Sequence, residues 1–272
     1  MDAVAQTAYY CCGVRADDAQ KPNPICGDQF AQRFMTTEGR AAFAPFASLR
    51  MPNISNATRA RIIDDLVRAR LAHNPRQKVF LVGAGFDTRA YRLGGGDWVE
   101  FDQPALLDLK NRLLPVSECP VPLTRVGIDF VRERLADKLA PYAGTRDAVV
   151  IIEGVTMYLT DEQKTSLFRA LREALPGHAL VCDMMTARFA EKVAAPFRNV
   201  LRTLGTDFVP QSPDPKQIAL AEGYTLTERI SILGRARELG AVSIPGFLFN
   251  TILKTLRDGY CIHVFKAPGK LA

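Results

Sequence analysis

The stretch that decides the fold is Val79-Phe-Leu-Val-Gly-Ala-Gly-Phe-Asp-Thr-Arg-Ala-Tyr-Arg-Leu93. It begins in a short apolar strand, Lys78 to Val82, and turns at Gly83-Ala84-Gly85. Two glycines let the backbone turn tightly and approach a ligand closely. A dinucleotide fingerprint has a third glycine where Thr88 stands, so this loop disfavours NAD(P). Taken alone, the loop is as consistent with a tight turn as with a ligand-binding turn.

Short apolar strands alternate with helices along much of the remaining chain. Such alternation predicts an α/β fold whose sheet is doubly wound, mostly parallel and covered on both faces. The predicted strands are Lys78 to Val82, Trp98 to Phe101, Leu123 to Ile128, Ala148 to Ile152, Ala179 to Cys182, Thr225 to Ile230 and Tyr260 to Phe265. The predicted helices are Arg59 to Leu71, Ala105 to Leu114, Phe130 to Leu139 and Asp161 to Leu175.

Two proline-containing segments interrupt this alternation. Residues 1–57 are expected to be irregular, with a helical turn at Gln29 to Phe34, before a helix begins at Asn56 or Thr58. Residues 184–222 break the rhythm again and are expected to form an inserted cap of helices and loops. No flexible linker separates the segments, so we expect a single domain over residues 1–272.

Acidic residues stand where three predicted strands end, at the edge where open α/β sheets bind ligands. Asp102 lies 17 residues after Gly85 (102 − 85) and could hold a ribose diol, or cap the helix that begins near Pro104. Asp129 suits an adenine or ribose contact as well as it suits a helix cap. Glu153 ends the most apolar strand, so it faces either an amine-bearing ligand or an internal arginine. The set predicts a ligand with amine and hydroxyl donors.

Composition narrows the class of protein. The chain is 47% hydrophobic and 24% charged, which excludes disordered and fibrous classes. The net charge of +6 is scattered without a basic cluster, so we do not expect nucleic-acid binding. Six cysteines without a C-x-x-C pair indicate free thiols and no metal site. The absence of an apolar leader or of a long apolar run predicts a cytoplasmic enzyme that does not cross a membrane.

Several stretches together resemble the leucine carboxyl methyltransferase family, in its bacterial branch related to polyketide O-methyltransferases. The run from Val79 to Leu93 is similar to the family's first motif. Glu100-Phe-Asp-Gln-Pro104 resembles the end of its second strand, and Gly127-Ile-Asp-Phe130 resembles its adenine-side motif, with Phe130 where leucine is usual. Glu153-Gly-Val-Thr-Met-Tyr-Leu159 is similar to its fourth motif. Tyr9 to Phe34 looks like the segment that folds over the cofactor as a lid.

The resemblance implies a seven-stranded class I methyltransferase (Rossmann-like) sheet that binds S-adenosylmethionine. It places Gly83 and Gly85 along the methionine part, Asp102 at the ribose and Glu153 at the amino group. Arg59 matches an arginine at the cofactor carboxylate, although Arg61 competes for that role. Some members carry an N-terminal lysine on the cofactor, and Thr7 falls near that point here. The candidate cofactor-binding residues are Arg59, Gly83, Gly85, Asp102, Gln103, Asp129, Phe130 and Glu153.

Methyl transfer from a sulfonium is an in-line displacement, so positioning of the acceptor dominates catalysis. An ionised carboxylate needs no general base, whereas a phenol or amine benefits from one. His73 and His178 lie in loops away from the carboxyl edge, and His263 is either near the site or a packed strand residue. The lack of a clear base favours a small anionic acceptor, as the family does.

Tyr158 resembles a substrate-side tyrosine of the family, or else packs in the core. Three rival hypotheses remain at this stage. They are methylation of a hydroxyl, nitrogen or carbon of a natural product, cofactor binding without turnover, and an NAD-dependent reductase.

Overall fold

Seven strands form one sheet in a computed structural model that describes residues 3–251 and 253–269. Their spatial order is β3-β2-β1-β4-β5-β7-β6. The bounds are β1 Lys78–Val82, β2 Asp97–Asp102, β3 Leu123–Gly127, β4 Val149–Ile152, β5 Ala179–Met185, β6 Thr225–Ser231 and β7 Tyr260–Lys266. The first five strands are parallel, and β7 runs antiparallel between β5 and β6. The predicted α/β fold with its mostly parallel sheet is confirmed.

The central strands are buried on both faces, which explains their unbroken apolar sequence. All four residues of β4 are buried, and so are all but the first residue of β1. Core side chains fill both faces of the sheet, around Ile151 on one side and Val150 on the other. Because these strands are parallel, their carboxyl ends meet at one edge, where Gly83 follows β1, Asp102 ends β2 and Glu153 follows β4.

Helices cover both faces. Their bounds are α1 Ala3–Ala19, α2 Thr37–Phe43, α3 Arg50–His73, α4 Arg89–Arg92, α5 Pro104–Leu113, α6 Leu135–Leu139, α7 Asp161–Ala174, α8 Ala195–Thr203, α9 Lys216–Ala221, α10 Ile232–Glu238, α11 Gly246–Asn250 and α12 Lys254–Asp258. The helix α7 begins with a capping box in which the Thr160 and Gln163 side chains bond each other's backbone N–H. Within the described part of the chain, no helix combines the length and apolar character needed to cross a bilayer.

The expectation of an irregular segment over residues 1–57 is wrong for much of its length, and its first two residues lie outside the described part. The helix α1 spans 17 residues and buries Tyr10 and Cys12, which lie on opposite sides of the helix, so it has no polar stripe to mark its period. The helix α3 begins at Arg50 rather than at Asn56 or Thr58. Proline is tolerated in its first turn because N–H groups there lack helical partners.

The helix predicted over Phe130 to Leu139 is formed only in its second half, Leu135–Leu139, and the first half is a turn and a bend. The Asp129 carboxylate accepts the N–H groups of Val131 and Arg132, a local bond that competes with a helix. Phe130 and Val131 are 44% and 93% exposed, so no core contact draws this segment into a helix.

The expected cap over residues 184–222 contains helical turns, as predicted, but starts later. Met184 and Met185 still belong to β5, and a π-helical turn follows at Phe189–Val193 before α8 and α9. A second helical segment, α10 to α12, lies between β6 and β7 and was not predicted. Its helix α10 packs on α3 through Leu233 and Ala236, which form a small core with Val242.

Candidate functional site

The glycine turn after β1 has backbone angles that residues with a side chain rarely adopt. Gly83 and Gly85 have φ angles of +73° and +47°, in the left-handed region that favours glycine. A Cβ at Gly83 would lie 2.4 Å from Val155 Cγ2, which is impossibly close. A Cβ at Gly85 would lie 3.5 Å from the Ala8 Cβ of α1. Position 83 therefore requires glycine, and α1 closes over the turn.

Asp102 joins this turn to the end of β2. Its Oδ2 accepts the Gly85 N–H at 2.6 Å, and its Oδ1 accepts the Gln103 N–H at 2.7 Å. Burial raises the pKa of Asp102, although both N–H groups oppose that effect. These bonds lead to the glycine turn and to Gln103, not into the first turn of α5. Each oxygen keeps a second lone pair, so the carboxylate fits a ligand that presents hydroxyl donors.

Glu153, at the end of β4, is held between two arginines. Its Oε1 accepts Arg59 Nε at 2.9 Å, and its Oε2 accepts Arg89 Nη1 at 2.7 Å. Burial acts to raise the pKa of Glu153, but the Arg89 and Arg59 guanidinium groups outweigh it and hold the pKa well below its ordinary range. The alternative of an internal arginine partner is thus realised. The same carboxylate keeps lone pairs for an amine, so the two interpretations are compatible.

Arg59 lies at the centre of this cluster. Its Nη1 donates to Asp183 Oδ2 at 3.1 Å and to the Tyr260 hydroxyl at 2.8 Å, and its Nη2 donates to Cys11 Sγ at 3.4 Å. Arg61, its competitor in sequence, points away and pairs with Asp65 at 2.9 Å. Of the two arginines, only Arg59 is buried beside Glu153.

Asp129 and Phe130 lie farther out on the same edge. Asp102 pairs with Gly127 across β2 and β3, so Asp129 follows two residues beyond that pair. The Asp129 side chain is half exposed and bonds within its own turn. The structure thus brings Arg59 and Glu153 together, joins Gly85 to Asp102, and leaves Asp129 and Phe130 accessible beside them.

A cavity of about 390 Å³ lies next to Arg59 and Gly154. Its walls come from α1, α3, the loop after β4, the cap and the helices that follow β6. Most lining side chains are apolar or aromatic, and Arg59 is the only lining residue of the described part that carries a permanent charge. The lining residues are Thr7, Tyr10, Cys11, Met51, Pro52, Ser55, Asn56, Arg59, Gly154, Met157, Tyr158, Met185, Phe189, Val193, Ala194, Pro196, Phe197, Phe208, Ile232, Leu233, Ile244, Leu256 and Tyr260.

Tyr158 faces this cavity and hydrogen-bonds to the Thr7 side chain of α1. Its ring meets Phe208 edge-on, with centroids 5.5 Å apart. Burial raises the pKa of Tyr158, of Tyr10 and of Tyr260, so these hydroxyls stay protonated at neutral pH and act as donors. The tyrosine both packs and presents a hydroxyl, so its two sequence interpretations are not exclusive.

No histidine lines the cavity among the described residues. His178 and His263 are buried on the other face of the sheet, and burial lowers the pKa of each to about 4. His263 stacks on Phe265, so it is a packed strand residue. His73 ends α3 at the surface.

Sequence reasoning missed Arg89, Asp183 and Tyr260. It expected Tyr9 to Phe34 to fold over the cofactor, but it did not single out Tyr10 and Cys11, which line the cavity. Arg89 lies inside the quoted first motif, and an arginine in such a run was a usable signal. Asp183 and Tyr260 lie 124 and 201 residues from Arg59, and nothing local in the sequence links them.

Comparisons with known proteins find a family and relatives that this chain resembles over most of its length. A family model described as leucine carboxyl methyltransferase matches residues 8–172. The chain is 27% identical over 243 residues to the tetracenomycin polyketide synthesis O-methyltransferase TcmP of Streptomyces glaucescens, covering 86% of this chain and 84% of that one. It is 30% identical over 213 residues to a putative S-adenosyl-L-methionine-dependent methyltransferase of Parafrankia sp. (strain EAN1pec), covering 72% and 68%.

Solved structures share the fold at low identity. A duf574 family protein from Streptomyces avermitilis superposes with a TM-score of 0.59 at 13% identity, covering 94% of this chain and 97% of that one. An O-methyltransferase family protein from Burkholderia thailandensis superposes with a TM-score of 0.53 at 14% identity, covering 89% and 64%.

Proposed function

This chain belongs to the leucine carboxyl methyltransferase family, and from that premise we propose that it methylates the carboxylate of a small, largely apolar acid. It is an S-adenosylmethionine-dependent methyltransferase, with polyketide O-methyltransferase-like relatives. The carboxylate, the roles of individual residues and the site of action in the cell are our proposals. The free thiols of Cys11, Cys26 and Cys119 suit the reducing cytoplasm, where we place the enzyme.

The bound cofactor supplies an electrophilic methyl group on a positively charged sulfur. We assign Gly83 and Gly85 to its methionine part and Asp102, with the neighbouring Gln103, to the ribose hydroxyls. Asp129 and Phe130 take the adenine, and Glu153 and Arg59 take the amino and carboxylate groups. Support comes from the buried Asp102 carboxylate with free lone pairs and from the strand-end order of these residues.

We further propose that residues 1–57 act as a lid, that residues 184–222 act as a cap, and that both belong to a single domain. Thr7, Tyr10 and Cys11 of α1 line the cavity, and Ala8 approaches Gly85. Phe189, Phe197 and Phe208 come from the cap segment. Cofactor and acceptor are then covered by elements outside the sheet, which excludes water from the reacting atoms.

The observation that carries the carboxylate proposal is the lack of a base in the cavity. No aspartate, glutamate, histidine or lysine lines it among the described residues. A phenol, whose pKa is near 10, would enter protonated and find no acceptor for its proton. A carboxylic acid, with a pKa near 4, is already ionised at neutral pH. The Tyr158 hydroxyl supplies a donor that can hold such an anion.

The test is a mass-spectrometric screen in which each apolar carboxylic acid is paired with its primary amide and with a matched phenol. We expect a methyl-sized mass gain with the acid alone, and loss of that methyl group in mild base, as an ester requires. The rate should lack a rising limb between about pH 6 and 8, because no base must be deprotonated. Methylation of the phenols or amides but not of the acids would refute the proposal.

A further inference from the structure

A fully buried aspartate lies behind the two charged groups of the site. Asp183, near the end of β5, receives the Gly154 N–H on Oδ1 at 2.8 Å. Its Oδ2 receives Arg59 Nη1 at 3.1 Å and the Tyr260 hydroxyl at 2.5 Å. One carboxylate therefore fixes both the peptide that follows Glu153 and the arginine that pairs with it.

The bonds of Arg59 leave it little freedom. A guanidinium group has five N–H donors. Glu153 takes Nε–H, Asp183 and Tyr260 take Nη1, and Cys11 takes one N–H of Nη2. One N–H of Nη2 remains without a partner among the described residues. On the other side, a Cβ at Gly154 would lie 3.1 Å from Nη2, so the guanidinium packs directly against that backbone.

We propose that Asp183 and Tyr260 are positioning residues that set the spacing between Arg59 and Glu153, and hence recognition of the amino-acid end of the cofactor. This inference rests on the proposed roles of Arg59 at the cofactor carboxylate and Glu153 at its amine. An amino acid presents an anion and a cation a fixed distance apart, so its two partners must be equally fixed. Asp183 holds both, because its oxygens bind Arg59 and the Gly154 peptide.

The adenosine end has separate supports. Asp102 binds Gly85 and Gln103, and among the described residues it makes no hydrogen bond to Asp183, Tyr260 or Arg59. If Asp183 and Tyr260 are positioning residues, their substitution should weaken binding of the amino-acid end of the ligand alone. If the substitutions destabilise the fold in general, binding of both ends should weaken.

Two ligands distinguish binding at the amino-acid end from binding at the adenosine end. S-adenosylhomocysteine carries the amino acid, whereas 5′-methylthioadenosine has the same nucleoside and thioether without it. The experiment is calorimetric titration of both into the wild-type chain, Asp183→Asn, Tyr260→Phe and the control Tyr224→Phe. Tyr224 is also a buried tyrosine, but its hydroxyl donates to Phe168 O on the other face of the sheet.

In Asp183→Asn the new amide either loses the Gly154 bond or turns an N–H toward the donors of Arg59. We expect its Kd for S-adenosylhomocysteine to rise at least about tenfold, because a charge-assisted bond is lost. Tyr260→Phe keeps the aspartate and should raise the same Kd by about three- to tenfold. The Kd for 5′-methylthioadenosine should change by less than about twofold in both variants. The control Tyr224→Phe should leave the Kd of each ligand unchanged.

Equal weakening of both ligands, or no change for either, would overturn the inference. Tyr260→Phe removes one hydroxyl and provides the test if Asp183→Asn does not fold. Failure of the wild-type chain to bind either ligand would instead sink the proposed function, so the two failures are distinguishable.

Discussion

Replacement of Asp102 by asparagine should weaken cofactor binding far more than it weakens the fold. The carboxylate accepts the N–H groups of Gly85 and Gln103 at 2.6 and 2.7 Å, and asparagine can keep only one of those bonds. Loss of the negative charge relieves the desolvation that raises the pKa of Asp102, which offsets part of the lost bond. We expect the unfolding free energy to fall by no more than about 1–2 kcal/mol.

Binding has no such offset. Both ribose hydroxyls donate to an ionised acceptor in the proposed complex, and each such bond contributes about 1.5–3 kcal/mol. Loss of one corresponds to roughly a 10- to 150-fold rise in the Kd for S-adenosylhomocysteine. Asp102→Ala should do at least as much. Asp129→Asn, at the residue assigned to the adenine, is the comparison variant. Its carboxylate is half exposed and bonded within its own turn, so its effect should be several-fold smaller.

Isothermal titration calorimetry gives the Kd, and urea unfolding of the same samples gives the stability. Because the ligand requires the ionised carboxylate, wild-type affinity should also fall as the pH is lowered through the raised pKa of Asp102. Asp102→Asn should lose that pH dependence. An asparagine variant that unfolds readily, yet binds with unchanged Kd in its folded fraction, would show that the carboxylate only supports the glycine turn.

The remaining predictions concern other groups. Tyr158→Phe should lower kcat/KM for a carboxylate acceptor about fivefold or more, because it removes a positioning hydroxyl. The Kd for S-adenosylhomocysteine should not change. A variant that loses stability but keeps normal kinetics would show that Tyr158 is a core residue. Gly83→Ala should lower the unfolding free energy by several kcal/mol, because strain at φ +73° adds to a 2.4 Å approach of the new Cβ to Val155. Gly94→Ala is the control, since its φ of +68° is similar but open space surrounds it, and it should lower the unfolding free energy by only about 1 kcal/mol. Urea unfolding measures both. The pKa of His178 falls from 6.5 to about 4 on folding, so the unfolded chain binds more protons between these values. The unfolding free energy should therefore drop as the pH is lowered through them, by up to about 3 kcal/mol for His178. The pKa of His263 is lowered in the same way, so His178→Gln should remove about half of the combined slope, and an unchanged slope would place the titration elsewhere.

The sheet was predictable because strands that are buried on both faces have continuous apolar sequences. The run Val149–Ile152 is apolar throughout, and the acid that follows it marks the strand end. Strand ends in a parallel sheet share one edge, so the sequence alone predicts that Asp102 and Glu153 lie at the same edge, as they do.

What could not be predicted depends on long-range packing. The helix α1 is buried around most of its circumference, so it lacks the amphipathic period by which a surface helix is recognised. Residues 130–134 have helical periodicity without a surface to pack on, and Asp129 captures their N–H groups. The partners of Glu153 are arginines at separations that no local pattern encodes, since Arg59 lies 94 residues away.

The charge balance of the site explains why an apolar cavity suits a carboxylate acceptor. Transfer to a carboxylate joins an anion to a methyl group from a cationic donor and leaves two neutral products. A cavity of low polarity opposes separated charge, so it favours this neutralising reaction over one that starts from a neutral acceptor and creates a new cation. A strong ion pair to the acceptor would cancel that advantage by stabilising the anion before reaction. The Arg59 charge is already shared by Glu153 and Asp183, and its remaining N–H is assigned to the cofactor carboxylate. The acceptor carboxylate is then oriented by the neutral Tyr158 hydroxyl and is not held in an ion pair.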